Sequence, residues 1–194
     1  MIYPKIELKF VNKEVGYGVF ATEFIPAGTI TWVLDKLDRE FTPSEFEKMD
    51  PLYQEVLDIY SYRNNKGNFI LCWDNGRFIN HSFKSNCLTT AYDFEIAIRD
   101  IQPGEQLTDD YGYLNVSTPF DPIDEDTERK TVYPDDLLNY HSIWDKKLKN
   151  VFHKIPLLDQ PLKKLISEKT WREVMAVTEG KKEMESILDN YFAE

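Results

Sequence analysis

Arg77-Phe-Ile-Asn-His-Ser82 and Ile96-Ala-Ile-Arg-Asp-Ile-Gln-Pro-Gly-Glu-Gln-Leu-Thr-Asp-Asp-Tyr-Gly112 are the two stretches on which the architecture of this chain turns. By composition alone, the first is a strand end running into a polar loop, and the second is strand, turn, strand. Ile96 and Ile98 alternate with Glu95, Ala97 and Arg99, the period of a half-buried strand. Pro103-Gly104 marks the turn. Just upstream, Phe69-Ile-Leu-Cys-Trp73 reads as a further strand, and Asn75-Gly76 ahead of Arg77-Phe-Ile79 predicts a tight hairpin.

Working outward, helical signals precede these strands. Thr42-Pro-Ser-Glu45 has the form of a capping box with proline at the first helical position. Asp50-Pro51 repeats the start signal, followed by Leu52, Val56 and Ile59 at helical spacing. Earlier still, Ile6, Leu8 and Phe10 alternate with charged residues, and Thr29-Ile-Thr-Trp-Val33 is rich in β-branched residues. Tight turns interrupt at Gly16-Tyr-Gly18 and at Pro26-Ala-Gly28. On the other side, Ser117 to Asp126 carries two prolines and four acids and reads as a connector. Beyond it the pattern is helical to the end. Leu137, Leu138, His141, Trp144, Leu148 and Val151 share a face of a helix that must stop before Pro156. Thr170-x-x-Glu173 predicts another capping box with Gly180 as its stop, and Met184, Ile187, Leu188 and Tyr191 form a last apolar stripe.

The 194 residues are 42% hydrophobic and 14% aromatic, enough to bury a core. No apolar run is long enough to span a membrane, and the N-terminus reads as a strand rather than a signal peptide. A cytoplasmic protein is expected, or a nuclear one in a eukaryote. Cys72 and Cys87 are too few and too scattered for a disulfide framework or a zinc cluster, so buried thiols are expected. The net charge of −11 argues against direct nucleic-acid binding and favours cationic partners, although solubility alone explains such a value. A Gly-x-Gly by itself is an ordinary turn, and no third glycine opens a helix, which speaks against a dinucleotide-binding unit.

Taken together with Gly16-Tyr-Gly18-Val-Phe-Ala21, the two opening stretches resemble, in order, spacing and residue type, the signatures of SET-domain protein lysine methyltransferases. The resemblance runs from Ile6 to Leu114, with residues 42–62 in the place of the family's variable insertion. It implies a mainly β fold with α, built of short β-clip-like sheets with a knot-like crossing. The expected division is a SET domain over 1–115, a connector over 116–132 and a C-terminal helical segment over 133–194. It implies an enzyme that uses S-adenosyl-L-methionine, gives S-adenosyl-L-homocysteine, and methylates the side-chain amine of lysine in a basic protein or peptide. Gly16, Tyr17 and Gly18 match the turn facing the methionine end of the cofactor. Asn80 and His81 match the pair holding its amino group and adenine, and Arg77 and Phe78 lie where the family adds contacts. Tyr111 matches the catalytic tyrosine, which also touches the cofactor. A catalytically silent module that binds basic peptides is the competing reading; retention of Asn80, His81 and Tyr111 together disfavours it.

The departures are Phe83 and Ser85 in place of the family's common cysteine and proline, and Asp109 where many members carry an aromatic residue linked to the number of methyl groups added. The zinc-binding tail is missing: no cysteine follows Cys87, and His141 and His153 are too far apart on a helix to share a metal. The tail helices are therefore expected to pack on the core and wall the lysine channel by hydrophobic burial. Tyr60, Tyr62, Tyr113, Tyr140 and Trp144 are aromatic candidates for that channel. Asp109 and Asp110 read as a solvated pair at a strand end rather than a general base, with the substrate's proton leaving to water.

Overall fold

The computed structural model of the protein describes residues 1–193. Its β-structure lies in four small sheets with no closed barrel. Strands β1 (Ile6–Asn12) and β2 (Gly16–Ala21) form an antiparallel hairpin. Strands β3 (Ile30–Val33), β8 (Cys87–Thr89) and β9 (Phe94–Ala97) form the central sheet in the order β3-β9-β8. A third sheet joins β4 (Arg39–Phe41), β5 (Ser61–Arg63) and β6 (Phe69–Leu71) in the order β4-β6-β5. The fourth pairs β7 (Asn80–His81) parallel to β10 (Thr108–Asp109). The expected mainly β architecture with helices is borne out.

Helices α1 (Pro43–Glu47) and α2 (Pro51–Tyr60) begin where the sequence signals them. Thr42 and Glu45 close a complete capping box, and the Asp50 carboxylate accepts from the Leu52 N–H. The long helix α3 (Asp136–Phe152) buries Leu137, Trp144, Leu148, Val151 and Phe152. They pack on Phe94, Ile96 and Ile30 from one face of the central sheet. Each fully buried side chain of this size contributes about 1.5–3 kcal/mol, which holds the C-terminal half on the sheet. A buried amide adds direction: Gln160 accepts from the Ile30 N–H and donates to the Gly28 carbonyl. Gly28 permits this approach, since a Cβ there would sit 2.6 Å from Cβ of Lys154, and its φ is +99°.

Several local expectations fail for identifiable reasons. Asn75-Gly76 makes no hairpin. The Asp74 carboxylate accepts from the Gly76 N–H and starts a 3-10 turn over Asn75–Phe78, so Arg77 and Phe78 are not in a strand. A side-chain cap has outcompeted the two-residue turn. Of the alternating apolar residues of β1, Ile6 packs on the core, whereas Leu8 and Phe10 face outward, with Phe10 58% exposed. On α3, Leu138 is exposed, off the buried face. Helix α4 (Glu168–Thr178) is capped by Ser167, not Thr170, whose N–H donates to the Ser167 hydroxyl. Gly180 does end it, with φ +70°. The last stripe is a 3-10 turn over Ile187–Asn190 rather than an α-helix. Cys72 and Cys87 are free and buried, as expected.

Candidate active site

Gly16-Tyr-Gly18, expected as a tight turn, opens strand β2 instead. The turn lies just before it, over residues 13–15, where the Asn12 side chain accepts from the Glu14 and Val15 N–H groups. The Asn80 side-chain N–H donates to the Tyr17 carbonyl at 3.0 Å. The two glycines serve different needs. Gly16 has φ +79° with open space around it, so its backbone conformation requires glycine. Gly18 is required by proximity: a Cβ there would lie 2.7 Å from Nε2 of Gln106 and 2.9 Å from Nδ2 of Asn80. The result is a stretch of backbone open to close approach beside a polar amide. Phe78 stands behind it, edge-on to Tyr17 at 6.5 Å and to Tyr60 at 5.6 Å. Arg77 is exposed, with its guanidinium over the Phe78 ring.

Residues 104–109 run between two partners. On one side, Gly104 and Leu107 donate to β2 carbonyls at Ala21 and Val19. On the other, β10 pairs with β7, the Ser82 N–H donates to the Asp109 carbonyl at 2.8 Å, and Asn86 bonds both the Gln106 carbonyl and the Thr108 N–H. This arrangement brings Tyr111 against the Asn80–His81 strand. The Tyr111 N–H donates to Nδ1 of His81 at 3.0 Å, and its hydroxyl donates to the Ile79 carbonyl at 2.6 Å.

His81 therefore carries its proton on Nε2, which is buried without a partner. Burial, reinforced by Arg129, pulls its pKa down to about 4 despite Glu125 nearby. Phe83 and Phe120 flank the ring at 4.5 and 5.8 Å. Because the folded state depresses this pKa, the stability it confers is present above about pH 6.5 and is lost as pH falls towards 4. Relative to His81→Gln, the wild type should lose about 1–3 kcal/mol over that range, read from denaturant midpoints at several pH values. A difference between the two proteins that does not change with pH would refute the assignment.

Tyr111 also lines a cavity of about 400 Å³. Its walls come from α2 and β5 (Leu57, Tyr60, Tyr62), from the central sheet (Trp32, Thr89, Glu95) and from the stretch Leu114 to Phe120. This corrects the expectation for the tail. Its helices pack on the far face of the sheet, and the cavity is walled by the helical stretch after Thr42 and by the start of the acidic connector. Of the aromatic candidates, Tyr60 and Tyr62 line the cavity, whereas Tyr113 and Trp144 are buried against one another in the core at 5.4 Å. Tyr140 lies beside Trp144, outside the cavity wall.

Asp109 and Asp110 are not a solvated pair: they are 6% and 2% exposed. Asp110 accepts from the Gly112 N–H and from Arg129, which also binds Asp136. Asp109 points the other way, into the cavity, where it meets Glu95. Burial and the neighbouring Asp109 carboxylate raise the pKa of Glu95 well above its usual value, and burial raises that of Asp109. Burial, with Asp109 and Glu95 close by, also raises the Tyr111 phenol, which stays protonated at neutral pH.

Three residues that sequence reasoning passed over complete the site. Glu125 accepts from the Ser82 hydroxyl and the Phe83 N–H, both at 2.7 Å, and so pins the segment after His81. Phe120 covers Tyr111 and His81. Arg129 fills the space beside Gly112, where a Cβ would sit 2.7 Å from its Nη2. All three lie in the stretch read as a connector, whose composition gave no sign of their partners.

Comparison with known proteins agrees with this geometry. A family model for the SET domain matches residues 16–112. The chain is 34% identical over 124 residues to a Schizosaccharomyces pombe protein named histone-lysine N-methyltransferase, H3 lysine-9 specific. That match covers 53% of this chain and 24% of the yeast protein, so the chain spans about a quarter of that relative's length. Among the described residues no helix is long and apolar enough to cross a membrane. With half of its length matched by the model and the motif segments interlocked as described, the chain belongs to the SET domain family of lysine methyltransferases.

Proposed function

We propose that the protein transfers a methyl group from S-adenosyl-L-methionine to the side-chain amine of a lysine on a basic protein. The observation that carries this reading is the position of Tyr111. Its phenol is tied to the Ile79 carbonyl, one residue before Asn80, and it lines a cavity suited to an unbranched side chain. The cradle fits the cofactor: the Gly16–Gly18 backbone accommodates a carboxylate-bearing end, the Asn80 side chain an amino group, and the aromatic neighbourhood of His81 a flat base. Bound there, the cofactor supplies a methyl group on a sulfonium, which needs only an aligned nucleophile.

The chain's own residues do the aligning. With its O–H committed to Ile79, the Tyr111 oxygen keeps its lone pairs for the amine's N–H or the polarised methyl. Trp32, Tyr60 and Tyr62 confine the alkyl stem and exclude water, so the amine arrives in line. Asp109, buried in the cavity, favours a cationic side chain beside it, while Asp58, Arg63 and Arg77 line the same cavity with charges of both signs.

Calorimetric titration with S-adenosyl-L-homocysteine tests the reading. Wild type should bind, and Asn80→Ala should bind about tenfold more weakly, the value of one well-formed hydrogen bond in a dry site. No binding by folded wild type sinks the cofactor assignment. Binding without transfer of labelled methyl to any of a set of basic proteins favours a silent peptide-binding module instead.

A further inference from the structure

Glu95 and Asp109 meet at the floor of the cavity, one from the central strand β9 and one from β10. They are 5% and 6% exposed, and among the described residues neither is in an ion pair. Trp32 lines the same cavity and sits opposite Glu95 across the β3–β9 pair. The two carboxyls meet one another through a shared proton, and the Tyr113 hydroxyl also meets Asp109, whereas the Trp32 indole N–H is left unmet. A buried acid pair and an unmet donor lining one cavity shape its floor for a polar ligand group.

Two carboxyls in contact in a dry place cannot both ionise, so the pair carries one proton and one negative charge. Glu95 holds the proton, since Asp109 raises its affinity, and Asp109 is the carboxylate. Arg63, Arg77 and Asp58 line the same cavity, but among the described residues neither arginine makes an ion pair with Glu95 or Asp109. The remaining titratable groups facing the pair do not neutralise its charge. Tyr62, Cys72, Cys87 and Tyr113 are all kept protonated, and uncharged, by burial. Asp110 is engaged by Arg129, and the amino group of Met1 is paired with Asp35.

We propose that the Glu95–Asp109 pair takes the proton that a substrate ammonium must lose before it can be methylated. The proposal rests on the lysine-methylating reading above and names how the site meets the cationic form of its substrate. A lysine ammonium has a reference pKa of about 10.4 and no lone pair. Tyr111 is no base, because its hydroxyl already donates to Ile79. His81 is not in the cavity wall, and its free nitrogen bears a proton. In the proposed step an N–H bond of the ammonium breaks and its electron pair stays on nitrogen. The proton forms an O–H bond on Asp109, so a cation and an anion become two neutral groups. Both ions lose hydration in the cavity, and a neutral pair there is favoured over an ion pair as it would not be in water. The proton passes to water when the product leaves and the cavity refills.

A lysine side-chain mimic, n-butylamine, tests this on the full chain without cofactor. Difference infrared spectra at about pH 7.5 should show a carboxylate band replaced by a protonated carboxyl band as n-butylammonium binds. The affinity should stay flat as pH rises towards the amine's pKa. Asp109→Asn leaves only neutral carboxyl and amide groups, so just the free amine can enter. Its affinity at that pH should fall about 10²- to 10³-fold and recover roughly tenfold per pH unit, the gap between pH and pKa. Glu95→Gln keeps a donor towards Asp109 and should retain the flat profile. Binding to wild type that climbs tenfold per pH unit, binding with no new carboxyl band, or no binding at all would overturn the proposal. These results need no variant to fold. Titration with S-adenosyl-L-homocysteine on the same protein fails independently if the methyltransferase reading is wrong.

Discussion

Tyr111→Phe is expected to slow methyl transfer by about 10²- to 10³-fold while leaving affinity for S-adenosyl-L-homocysteine nearly unchanged. The size follows from losing one preorganised polar group at the reacting centre, comparable to the loss of an oxyanion-type donor. The hydroxyl is held by the Ile79 carbonyl, so in the wild type it needs no reorganisation as the reaction proceeds. Phenylalanine keeps the ring against His81 and Phe120, and the backbone N–H of residue 111 still donates to His81. Stability should therefore fall by no more than about 1–2 kcal/mol, the price of an unpaired Ile79 carbonyl. Single-turnover rates with a confirmed substrate, set beside denaturant midpoints, separate the two effects. Turnover close to wild type would remove Tyr111 from its role.

What could be read in the sequence was what depends on near neighbours or on a motif. The capping box at Thr42, the start at Asp50 and the stop at Gly180 all involve residues within a few positions of one another, and all are found. The turn expected at Gly16–Gly18 falls over residues 13–15 instead, and the glycines open β2. The pairing of Asn80–His81 with Thr108–Asp109 could be anticipated only through the family resemblance, because nothing local in either segment names its partner. Asp109 and Asp110 show where such reading stops. On a strand, successive side chains point to opposite faces, so two adjacent acids can be buried in different places. Their fates are decided by Glu95, by Arg129 and by Asp136, all of them distant in sequence or across a turn. The same holds for the tail: its apolar stripe correctly announced a buried face, but not which face of the sheet would receive it. That choice put the helices behind the central sheet and left the cavity wall to Leu114 to Phe120.

Arg129→Ala should cost about 3–5 kcal/mol, a large share of the stability of a protein this size, because it leaves two buried carboxylates without their cation. Asp110 and Asp136 are each 2% exposed, and Arg129 bridges them while its guanidinium stacks near Phe83 and Tyr140 at 4.6 and 4.5 Å. Lysine cannot stand in, since a single ammonium has neither the fork that reaches both acids nor the flat surface for the rings. Burial already raises the pKa of both acids even with Arg129 present. Without it they rise further, and a carboxyl with a raised folded-state pKa favours folding at low pH and loses that contribution as pH climbs. The deficit of the variant should accordingly be larger at about pH 8 than at about pH 5, and Asp110→Asn in the same chain should recover part of it at the higher pH. Urea titrations at the two pH values give the comparison; a loss below about 1 kcal/mol at both would show the network to be dispensable. Methyl transfer should weaken in parallel. Arg129 ties the start of α3 to the Asp110–Gly112 turn on one side of Tyr111 and packs on Phe83 beside His81 on the other, so its removal loosens both segments that fix the tyrosine.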